Sequence, residues 1–568
     1  MEKQMRFKKF KLTENEYEHI KSTLKREPND FELHLFSATY CEHCAYKHSK
    51  ELLKLLPREV GVQKAIFYDE NAGGVEIEEY AILFKMESHN HPCAVEPFNG
   101  AATGIGGIVR DVLAMNARPI ALCNSLKFGA GQFKQKAKSK KQKIKSDDNT
   151  FYSLPLAFCS KSPSPFTLHS SLIDGVVEGI SNYGNSIGVP TVSTEVLFDN
   201  CYSQNPLVNV TAIGIAKKSD ILTSNKAQPG LKLMLIGSHT MRDGMGGASF
   251  ASKKLSDESS GDKISIQMAN PFMKKKLIEA CLDVFSKKLV VSCQDCGAAG
   301  ILSSTSEVAF KSKYGVKIDL AKIHLGDKSI QDFEIMLSET QERMLFVVEE
   351  ENIAQIEQIL KKYELGFSTI GEVIEEKKYI VKKGDKILAE IPSELLVTPP
   401  KTELNMSPRP LRERARVRGK NATINGNSPD IYEQYDHTVG ARTQLQPAQN
   451  PQFNSLWIYE ENRFLGIYTF SAVIEEKPFE TTYNAIISAS EILKKSGFKP
   501  IGITNCLNFA NPEIPPTMYE FKETILAIKQ ACEEIQVPVC SGNVSFYNEY
   551  SGGKIKNTPT FTILGVKY

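Results

Sequence analysis

A dense group of chemically capable side chains lies in residues 84–92. At every second position, Lys85, Glu87, His89 and His91 supply a cation, a carboxylate and two imidazoles. Side chains two residues apart in a β-strand point to the same face of the sheet, so this spacing predicts one shared face. Such a face can bind phosphate, hold a hard cation and exchange a proton. We therefore predict an active site at the end of this strand.

Further charged groups that suit the same chemistry are spread along the chain. Arg110 and Asp111 lie on the next predicted helix, Asp295 follows Gln294, and residues 338–343 form another acidic group. These carboxylates occur without three histidines or four cysteines at the spacing of a zinc site. The donor set therefore favours magnesium and phosphate over zinc.

Two Cys-x-x-Cys pairs, Cys41 with Cys44 and Cys293 with Cys296, invite a zinc or redox interpretation. The pairs are far apart in the sequence and the first lies in a helical pattern, which disfavours a shared zinc site. Neither pair follows a strand in a βαβ unit, which disfavours thioredoxin-like catalysis. Twelve cysteines among 568 residues are too few for a disulfide scaffold, and reduced thiols in a cytoplasm fit best.

Gly104, Gly106 and Gly107 form a glycine cluster just beyond the polar segment. The cluster lacks the full Gly-x-Gly-x-x-Gly spacing of a dinucleotide-binding fingerprint, and no clear strand immediately precedes it. We predict instead that the backbone approaches a ligand or another helix closely at these positions.

The overall composition is that of a globular protein. The chain has 69 basic and 67 acidic residues, a formal net charge of +2, which excludes nucleic-acid binding driven by bulk charge. No run of about 18 apolar residues occurs, so we expect a cytoplasmic protein without a membrane span. At about 150 residues per domain, the length suggests three to four domains.

An internal repeat indicates how the domains that carry these residues are arranged. Residues 118–128 resemble residues 499–509, and residues 188–192 resemble residues 536–540. Short β-rich segments alternate with helical segments around both copies, which is typical of an α/β (α+β) fold. Two similar units predict a pseudo-twofold pair with a site in the cleft between them.

The composition along the chain predicts five segments, and the first repeat carries a Lys/Ser-rich insertion at residues 130–165. These segments are an N-terminal helical leader or linker at 1–60, a first N-terminal-type domain at 61–217, a first C-terminal-type domain at 218–397, a linker at 398–430 and a second N-terminal-type domain at 431–568.

Several long motifs resemble the phosphoribosylformylglycinamidine synthase family, specifically the large subunit of its small type. The motifs are Glu42–Ser49, Glu87–Pro92, Asn99–Gly104, Arg110–Ala114, Tyr183–Gly188, Asp243–Gly244, Gln294–Asp295, Glu339–Arg343, Tyr435–His437 and Ser541–Ser545. The resemblance implies two ATP-binding α/β repeats of the aminoimidazole-ribonucleotide-synthetase-like superfamily. The family normally continues with a further domain parallel to residues 218–397, and we expect this chain to lack it.

The activity implied by the resemblance is a ligase reaction of purine biosynthesis. ATP phosphorylates the amide oxygen of formylglycinamide ribonucleotide, ammonia attacks the activated carbon, and phosphate leaves to give formylglycinamidine ribonucleotide and ADP. Carried over by position, the family's roles are catalysis for His43 and His89, nucleotide binding for Tyr46, Lys85, Asn505 and Gly542, magnesium binding for Glu87, Asp111, Asp295 and Asn543, and substrate binding for Ser88, His89, Asn90, His91, Arg110, Gln267, Glu339, Thr340, Gln341 and Ser545.

The source of the ammonia is expected to lie outside this chain. No cysteine in a glycine-rich turn is followed by a His-x-Glu pattern, so the sequence contains no recognisable glutaminase triad. The resemblance implies a separate glutaminase subunit and a small adaptor subunit as partners. The alternative hypothesis is a catalytically impaired paralogue or truncated chain that acts as an assembly scaffold.

Overall fold

Helices and strands alternate along the chain in the computed structural model. The structure describes residues 6–130, 172–252, 265–408, 424–425, 431, 434–436, 439, 445–446, 452–458, 463–550 and 553–567. Almost all of the predicted insertion and most of the second half of the predicted linker lie outside the described residues. The predicted domain boundaries stay predictions.

Fifteen α-helices occur in the described residues. They are α1 (Arg6–Lys9), α2 (Glu14–Leu24), α3 (Asp30–Thr39), α4 (Glu42–Ala45), α5 (Lys50–Leu53), α6 (Asn90–Val95), α7 (Pro97–Ala114), α8 (Leu172–Ile187), α9 (Gly247–Phe250), α10 (Pro271–Ser286), α11 (Gly300–Ser312), α12 (Asp332–Leu337), α13 (Ile353–Lys362), α14 (Pro478–Lys495) and α15 (Pro515–Ile535). None of these helices is long and apolar enough to cross a membrane.

The strands form three large sheets and two small hairpins. They are β1 (Glu59–Val60), β2 (Gln63–Lys64), β3 (Gly73–Ile77), β4 (Tyr80–Ser88), β5 (Arg118–Phe128), β6 (Thr191–Phe198), β7 (Leu207–Lys217), β8 (Lys232–Gly237), β9 (Ser292–Asp295), β10 (Gly315–Asp319), β11 (Arg343–Val348), β12 (Gly366–Ile374), β13 (Lys378–Lys383), β14 (Lys386–Pro392), β15 (Ile424–Asn425), β16 (Leu445–Gln446), β17 (Phe453–Ile458), β18 (Arg463–Ser471), β19 (Lys499–Asn508), β20 (Val539–Ser545), β21 (Glu549–Tyr550), β22 (Gly553–Lys554) and β23 (Thr558–Lys567).

The two repeats build two sheets of matching topology. The first has the order β15-β6-β5-β7-β4-β3, and the second, taken from its opposite edge, has the order β20-β19-β23-β18-β17-β16. Strands β6-β5-β7-β4-β3 correspond to β20-β19-β23-β18-β17, and each series begins with one parallel pair and continues with antiparallel pairs. A helix pair, α7 with α8 or α14 with α15, packs beside each sheet. The predicted two-repeat α/β fold is confirmed.

The two repeat sheets pack against each other through their inner faces. Residues such as Phe84 and Val192 from the first sheet share a buried core with Ile467 and Leu564 from the second. A burial of this kind removes apolar surface from water and is the main favourable contribution to such an interface. The interface therefore joins the two repeats through a hydrophobic core.

A seven-stranded sheet follows the first repeat, in the order β14-β13-β10-β12-β8-β11-β9. The N-terminal helices pack on this unit, where Tyr40 donates a hydrogen bond to the carbonyl of Leu395 at 2.6 Å and Asn29 donates to that of Leu388 at 3.0 Å. Helices α2 and α3 both begin with a capping box, which satisfies the backbone donors of their first turns. These contacts hold α4, the next helix, beside the repeats.

A buried ion pair lies at the interface between the repeat sheets. The ammonium of Lys127 on β5 lies 2.9 Å from Glu195 on β6, and both residues are almost completely buried. Lys127 also donates to the hydroxyl of Ser471 on β18, at 2.6 Å. Burial lowers the pKa of Lys127, and the Glu195 carboxylate opposes that shift. The pair thus ties the first repeat to the second.

Lys127→Ala is expected to destabilise the protein by about 3–5 kcal/mol, because Glu195 would stay buried without its cation. The double variant Lys127→Met, Glu195→Leu removes both charges and is expected to recover most of that loss. Urea unfolding of the parent and both variants measures the difference. A Lys127→Ala variant as stable as the parent would contradict the structural role of the pair.

Candidate active site

A cavity of about 450 Å³ lies where the two repeats, the seven-stranded unit and α4 meet. It brings together all but three of the residues that the sequence analysis placed in the site. Its lining includes His43, Tyr46, Lys85, Glu87, Ser88, His89, Asn90, His91, Arg110, Asp111, Gln267, Asp295, Glu339, Gln341, Asn543 and Ser545. Both repeats contribute, as predicted for a site in the cleft between them.

The strand that carries the polar segment is shorter than its alternating pattern predicted. β4 ends at Ser88, His89 precedes α6, and His91 lies in the first turn of that helix. The prediction that four side chains share one strand face was therefore wrong for the two histidines. Pro92 fits the first turn of a helix, where its missing N–H costs no hydrogen bond, and the chain turns there. All four side chains still line the cavity.

Lys85 is held between two of the predicted metal ligands. Its ammonium lies 2.8 Å from the Glu87 carboxylate and 3.1 Å from that of Asp111 on α7. Burial alone lowers the pKa of Lys85, but the carboxylates of Asp111 and Glu87 outweigh burial and raise the pKa well above its usual value. Lys85 is therefore a permanent cation at the base of the cavity.

His89 is held as a neutral imidazole with a defined tautomer. Its Nδ1 contacts the carbonyl oxygen of Gly100, which can only accept a hydrogen bond, so Nδ1 carries the proton. Burial lowers the pKa of His89 to about 4, although the Gly100 contact opposes the shift. At neutral pH, Nε2 therefore has a free lone pair that can accept a proton.

His43 and Tyr46 enter the cavity from α4. Burial lowers the pKa of His43, so this imidazole is also neutral at pH 7. The amide of Asn543, on β20 of the second repeat, donates to the Tyr46 hydroxyl at 3.4 Å. Ser88 donates to the other atom of the same Asn543 amide, also at 3.4 Å. Asn543 thus links the N-terminal segment to both repeats.

Arg110 connects α7 to the seven-stranded unit. Its guanidinium lies 3.3 Å from Asp295, donates to the Cys296 carbonyl at 3.4 Å and donates to the Gln341 side chain. Burial would lower the pKa of Arg110, but nearby carboxylates, chiefly that of Asp295, raise it. The guanidinium plane is therefore fixed in orientation and charge.

The Arg110 contacts continue into a chain of amide and carboxylate groups. Gln341 donates to Gln267, and Gln267 donates to the Glu339 carboxylate at 3.0 Å. The other Glu339 oxygen accepts from the backbone N–H of Ala299 at 3.0 Å. The network therefore fixes a guanidinium, two amides and a carboxylate along one wall of the cavity.

Asn90 has structural partners on both sides of its amide. It donates to Asn508 at 2.9 Å and to Asn548 at 3.0 Å, and its oxygen accepts from the Val208 backbone at 2.8 Å. A substrate contact at Asn90 would have to replace one of these bonds. His91 Nε2 donates to the Tyr547 carbonyl at 3.2 Å, which orients that ring between the repeats.

Thr340, Asn505 and Gly542 lie outside the cavity lining. The Thr340 hydroxyl donates to Asp243 at 2.7 Å and accepts from the Met241 backbone at 3.0 Å. A Cβ added at Gly542 would lie 2.6 Å from the Asn505 amide oxygen. Thr340 therefore shapes a loop of the site, and Gly542 allows β19 and β20 to approach closely behind it.

The cavity also contains polar residues that sequence reasoning missed. Asp69, Glu70 and Asn71 line it from the segment before β3, and Lys311 reaches it from α11. Lys311 lies 3.4 Å from the Glu70 carboxylate. The nitrogen of the Asn71 amide is buried without a hydrogen-bond partner. The consecutive polar residues 69–71 were the only available signal, and they resemble an ordinary turn.

The predicted metal ligands share the cavity without forming a preassembled cluster. Within the described residues, no group of three or more His, Cys, Asp or Glu side chains is arranged to hold a metal ion. Glu87 and Asp111 share the single charge of Lys85, and burial raises the pKa of Asp111 well above its usual value. Magnesium usually takes only one or two protein carboxylates and fills its other positions with water and phosphate oxygens. The donor set therefore fits magnesium that arrives with a nucleotide.

Family models match most of the chain. The model "AIR synthase related protein, N-terminal domain" matches residues 69–146, 150–216 and 467–567, and the corresponding C-terminal domain model matches residues 228–384. The model "Formylglycinamide ribonucleotide amidotransferase linker domain" matches residues 1–47. These matches cover both repeats, the seven-stranded unit and the N-terminal helices.

A curated relative decides the family. The phosphoribosylformylglycinamidine synthase subunit PurL of Petrotoga mobilis is 41% identical over 574 aligned residues, which cover 98% of this chain and 73% of the relative. The chain belongs to the phosphoribosylformylglycinamidine synthase family. The predicted family and enzyme class, a ligase of purine biosynthesis, are confirmed. The alternative of an impaired scaffold is not favoured.

Solved structures agree with this assignment. Thermotoga maritima PurL complexed with FGAR is 36% identical with a TM-score of 0.79, and the match covers 97% of this chain and 83% of that one. PurL of the same organism complexed with ATP is 32% identical with a TM-score of 0.77, covering 97% and 82% of the two chains. Family members of this fold thus bind both ligands.

Two glycines of the cluster, Gly106 and Gly107, lie next to each other in α7 but have different surroundings. A Cβ at Gly106 would lie 2.8 Å from the Tyr183 hydroxyl of α8 and 2.9 Å from the Gln341 amide oxygen. A Cβ at Gly107 would meet nothing within 4 Å, and Gly107 lines the cavity. Gly106 therefore allows α7 and α8 to pack closely, and Gly107 leaves room for a ligand.

Gly106→Ala is expected to destabilise the protein by about 1–3 kcal/mol through overpacking. Gly107→Ala, one residue away in the same helix, is expected to stabilise it by about 0.5–1 kcal/mol, because alanine favours the helix. The added methyl group also takes up space in the cavity, so we expect the KM for a substrate that binds there to rise. Thermal unfolding of the two variants checks the opposite signs, and equal melting temperatures would contradict the packing.

Proposed function

We propose that this cavity converts formylglycinamide ribonucleotide, ATP and ammonia to formylglycinamidine ribonucleotide, ADP and phosphate. The observation that carries the proposal is the meeting of a neutral His89, a permanently charged Lys85 and the fixed Arg110 guanidinium in one cavity. These groups supply a proton acceptor, a phosphate-binding cation and a polar substrate contact. The family relationship identifies the reaction to which they belong.

The chemistry requires activation of an amide. An amide carbon is a poor electrophile, and transfer of the γ-phosphoryl group of ATP to the amide oxygen converts that oxygen into a leaving group. Ammonia then attacks the carbon, loses a proton and expels phosphate. His89 Nε2 is the group that accepts this proton, because Nδ1 is committed to the Gly100 carbonyl. His43, also neutral, faces the same space.

Nucleotide binding is assigned to Lys85 and Tyr46. Lys85 is the cation at the base of the cavity, and Tyr46 is oriented by the second repeat through Asn543. We assign Asn505 and Gly542 a supporting role, because they lie behind the cavity wall. The ammonium balances the charge that develops on the transferring phosphoryl group.

The residues that would hold magnesium are Glu87, Asp111, Asp295 and Asn543, which all line the cavity. Magnesium would supply neutralisation of the triphosphate oxygens. Burial raises the pKa of Glu87, but the Lys85 ammonium outweighs burial and brings this pKa below its usual value. The Glu87 carboxyl group is therefore ionised. Its carboxylate is therefore available as an oxygen ligand at neutral pH.

The substrate is assigned to the wall that contains the Arg110 network. Arg110 and the polar chain of Gln341, Gln267 and Glu339 can recognise the ribose and phosphate of a ribonucleotide through fixed donors and acceptors. Ser88, His91 and Ser545 line the neighbouring part of the cavity, Asn90 holds the repeats together beside it, and Thr340 shapes its loop.

Ammonia is proposed to come from a separate glutaminase subunit, with a small adaptor subunit completing a cytoplasmic complex. Resemblance to the small-type family supports this proposal. The chain alone should then use ammonium at high concentration and should not use glutamine. Product formation from glutamine by the purified chain would contradict the partner proposal without affecting the synthetase reaction.

ADP release by the purified chain tests the proposed function. We expect release that requires formylglycinamide ribonucleotide, ATP, magnesium and ammonium chloride together, and that stops when any one is omitted. A chain that binds the substrate and ATP but releases no ADP would instead support the scaffold hypothesis.

His89→Ala is expected to lower kcat by about 10²–10⁴-fold, the usual worth of general acid–base help. Substrate binding should persist, because the Arg110 network is untouched. His19→Ala, on the outlying helix α2, is the matched histidine control and should retain parental activity. A His89→Ala activity within about twofold of the parent would remove this imidazole from the mechanism.

Lys85→Met keeps the length of the side chain but removes its charge. We expect the KM for ATP to rise by about 10- to 100-fold, because a charged hydrogen bond contributes about 1.5–3 kcal/mol. Lys218→Met removes a half-exposed lysine that pairs with Glu76 at 3.0 Å, outside the cavity lining, and serves as the control. An equal KM change in both variants would contradict the nucleotide role of Lys85.

A further inference from the structure

The two Cys-x-x-Cys pairs have the same sequence pattern but different environments. Cys293 lies on β9 and packs into the core on one face of the seven-stranded sheet, whereas Cys296 packs into the core on the opposite face. Both residues are almost completely buried. The two sulfurs therefore face different cores and cannot bond to each other without unfolding the end of β9.

Cys41 and Cys44 instead occupy a single helical turn. Cys41 is the N-cap residue of α4, and Cys44 is the third residue of that helix. Both are free thiols and only partly buried, and Cys44 lines the cavity. His43 lies between them, and its backbone N–H donates to the Ser252 hydroxyl at 3.2 Å. The pair is thus adjacent in space and next to the site.

The two thiols interact with each other. A hydrogen bond from the Cys44 thiol lowers the pKa of Cys41, against the effect of burial, and the same contact raises the pKa of Cys44. Burial raises the pKa of the other described cysteines, as it does for Cys93, Cys281 and Cys532. Because the thiolate is the reactive form, Cys41 is the described cysteine that ionises to it most readily.

We propose that Cys41 and Cys44 are a modification site, at which a peroxide forms a reversible disulfide beside the active cavity. The Cys41 thiolate attacks one peroxide oxygen, gives a sulfenic acid and releases the first water. The Cys44 sulfur then attacks the Cys41 sulfur, loses its proton and releases the second water. Two electrons pass from the sulfurs to the peroxide, and a dithiol reverses the reaction.

Disulfide formation would constrain the turn that carries His43. Cys41 is the N-cap residue with an extended backbone (φ −67°, ψ 159°), whereas Cys44 lies inside α4. A disulfide fixes the Cβ atoms about 3.5–4.5 Å apart and sets the dihedral angle about the S–S bond. Its formation therefore locks the first turn of α4, which shifts His43 and the adjoining Tyr46 from their thiol-state positions. Formation of the disulfide is independent of the proposed function, and only the predicted loss of activity depends on it.

Peroxide treatment of the full chain, followed by alkylation and peptide mass spectrometry, tests the proposal. We expect a Cys41–Cys44 disulfide, with Cys293 and Cys296 recovered as thiols and serving as the internal control. Ammonium-dependent ADP release should fall at least about tenfold and return with dithiothreitol. Equal oxidation of both pairs, or no linkage at Cys41, would overturn the proposal.

Cys41→Ser gives the decisive variant, because serine has nearly the same shape as cysteine and is favoured at an N-cap, and Cys41 itself lies outside the cavity lining. We expect basal activity to be retained and inhibition by peroxide at low concentration to disappear. Inhibition equal to that of the parent would place the sensitive group elsewhere.

If the variant does not fold, the alkylation rates of the parent protein decide. Cys41 should react fastest, and a faster reaction at Cys293 or Cys296 would overturn the proposal. A chain that forms the disulfide but never releases ADP would refute the proposed function alone.

Discussion

The hydroxyls of Thr211 and Thr562 meet at 2.9 Å where the two repeat sheets pack face to face. Thr211 lies on β7 and Thr562 lies on β23, and these strands occupy corresponding places in sheets of matching order. A contact between equivalent residues marks a pseudo-twofold axis. Apolar side chains of both sheets, among them Phe84 and Leu564, share one buried core in this interface. The cavity that gathers the polar residues lies at the end of β4 instead.

The two ends related by this axis differ in chemistry. At one end, β4 and β20 bring Glu87 and Asn543 to an open cavity. At the other, Glu195, which corresponds to Asn543 in the repeat, is paired with Lys127 and buried. A symmetric fold thus carries one open polar site and one closed ion pair. Burying the pair is worth little stability by itself, and the Ser471 hydroxyl of the second repeat connects both charges to the other sheet.

The sequence was sufficient to predict the features that depend on local pattern and repetition. The repeat predicted two similar sheets, and the dense polar group in residues 84–92 predicted the cavity at the end of β4. The turn after Ser88 was not predictable from alternation, because tertiary bonds of Asn90 to both repeats fix it. The contribution of Asp69 to the cavity was hidden for the same reason, since only the fold brings it there.

The most direct test of the account follows the amide oxygen through the reaction. Formylglycinamide ribonucleotide labelled with ¹⁸O at the reacting amide would be incubated with the chain, ATP, magnesium and ammonium chloride. If the cavity activates this oxygen by phosphoryl transfer, the released inorganic phosphate carries the label in equal amount to the product. Label that appears in water, with unlabelled phosphate, would contradict the activation of the amide.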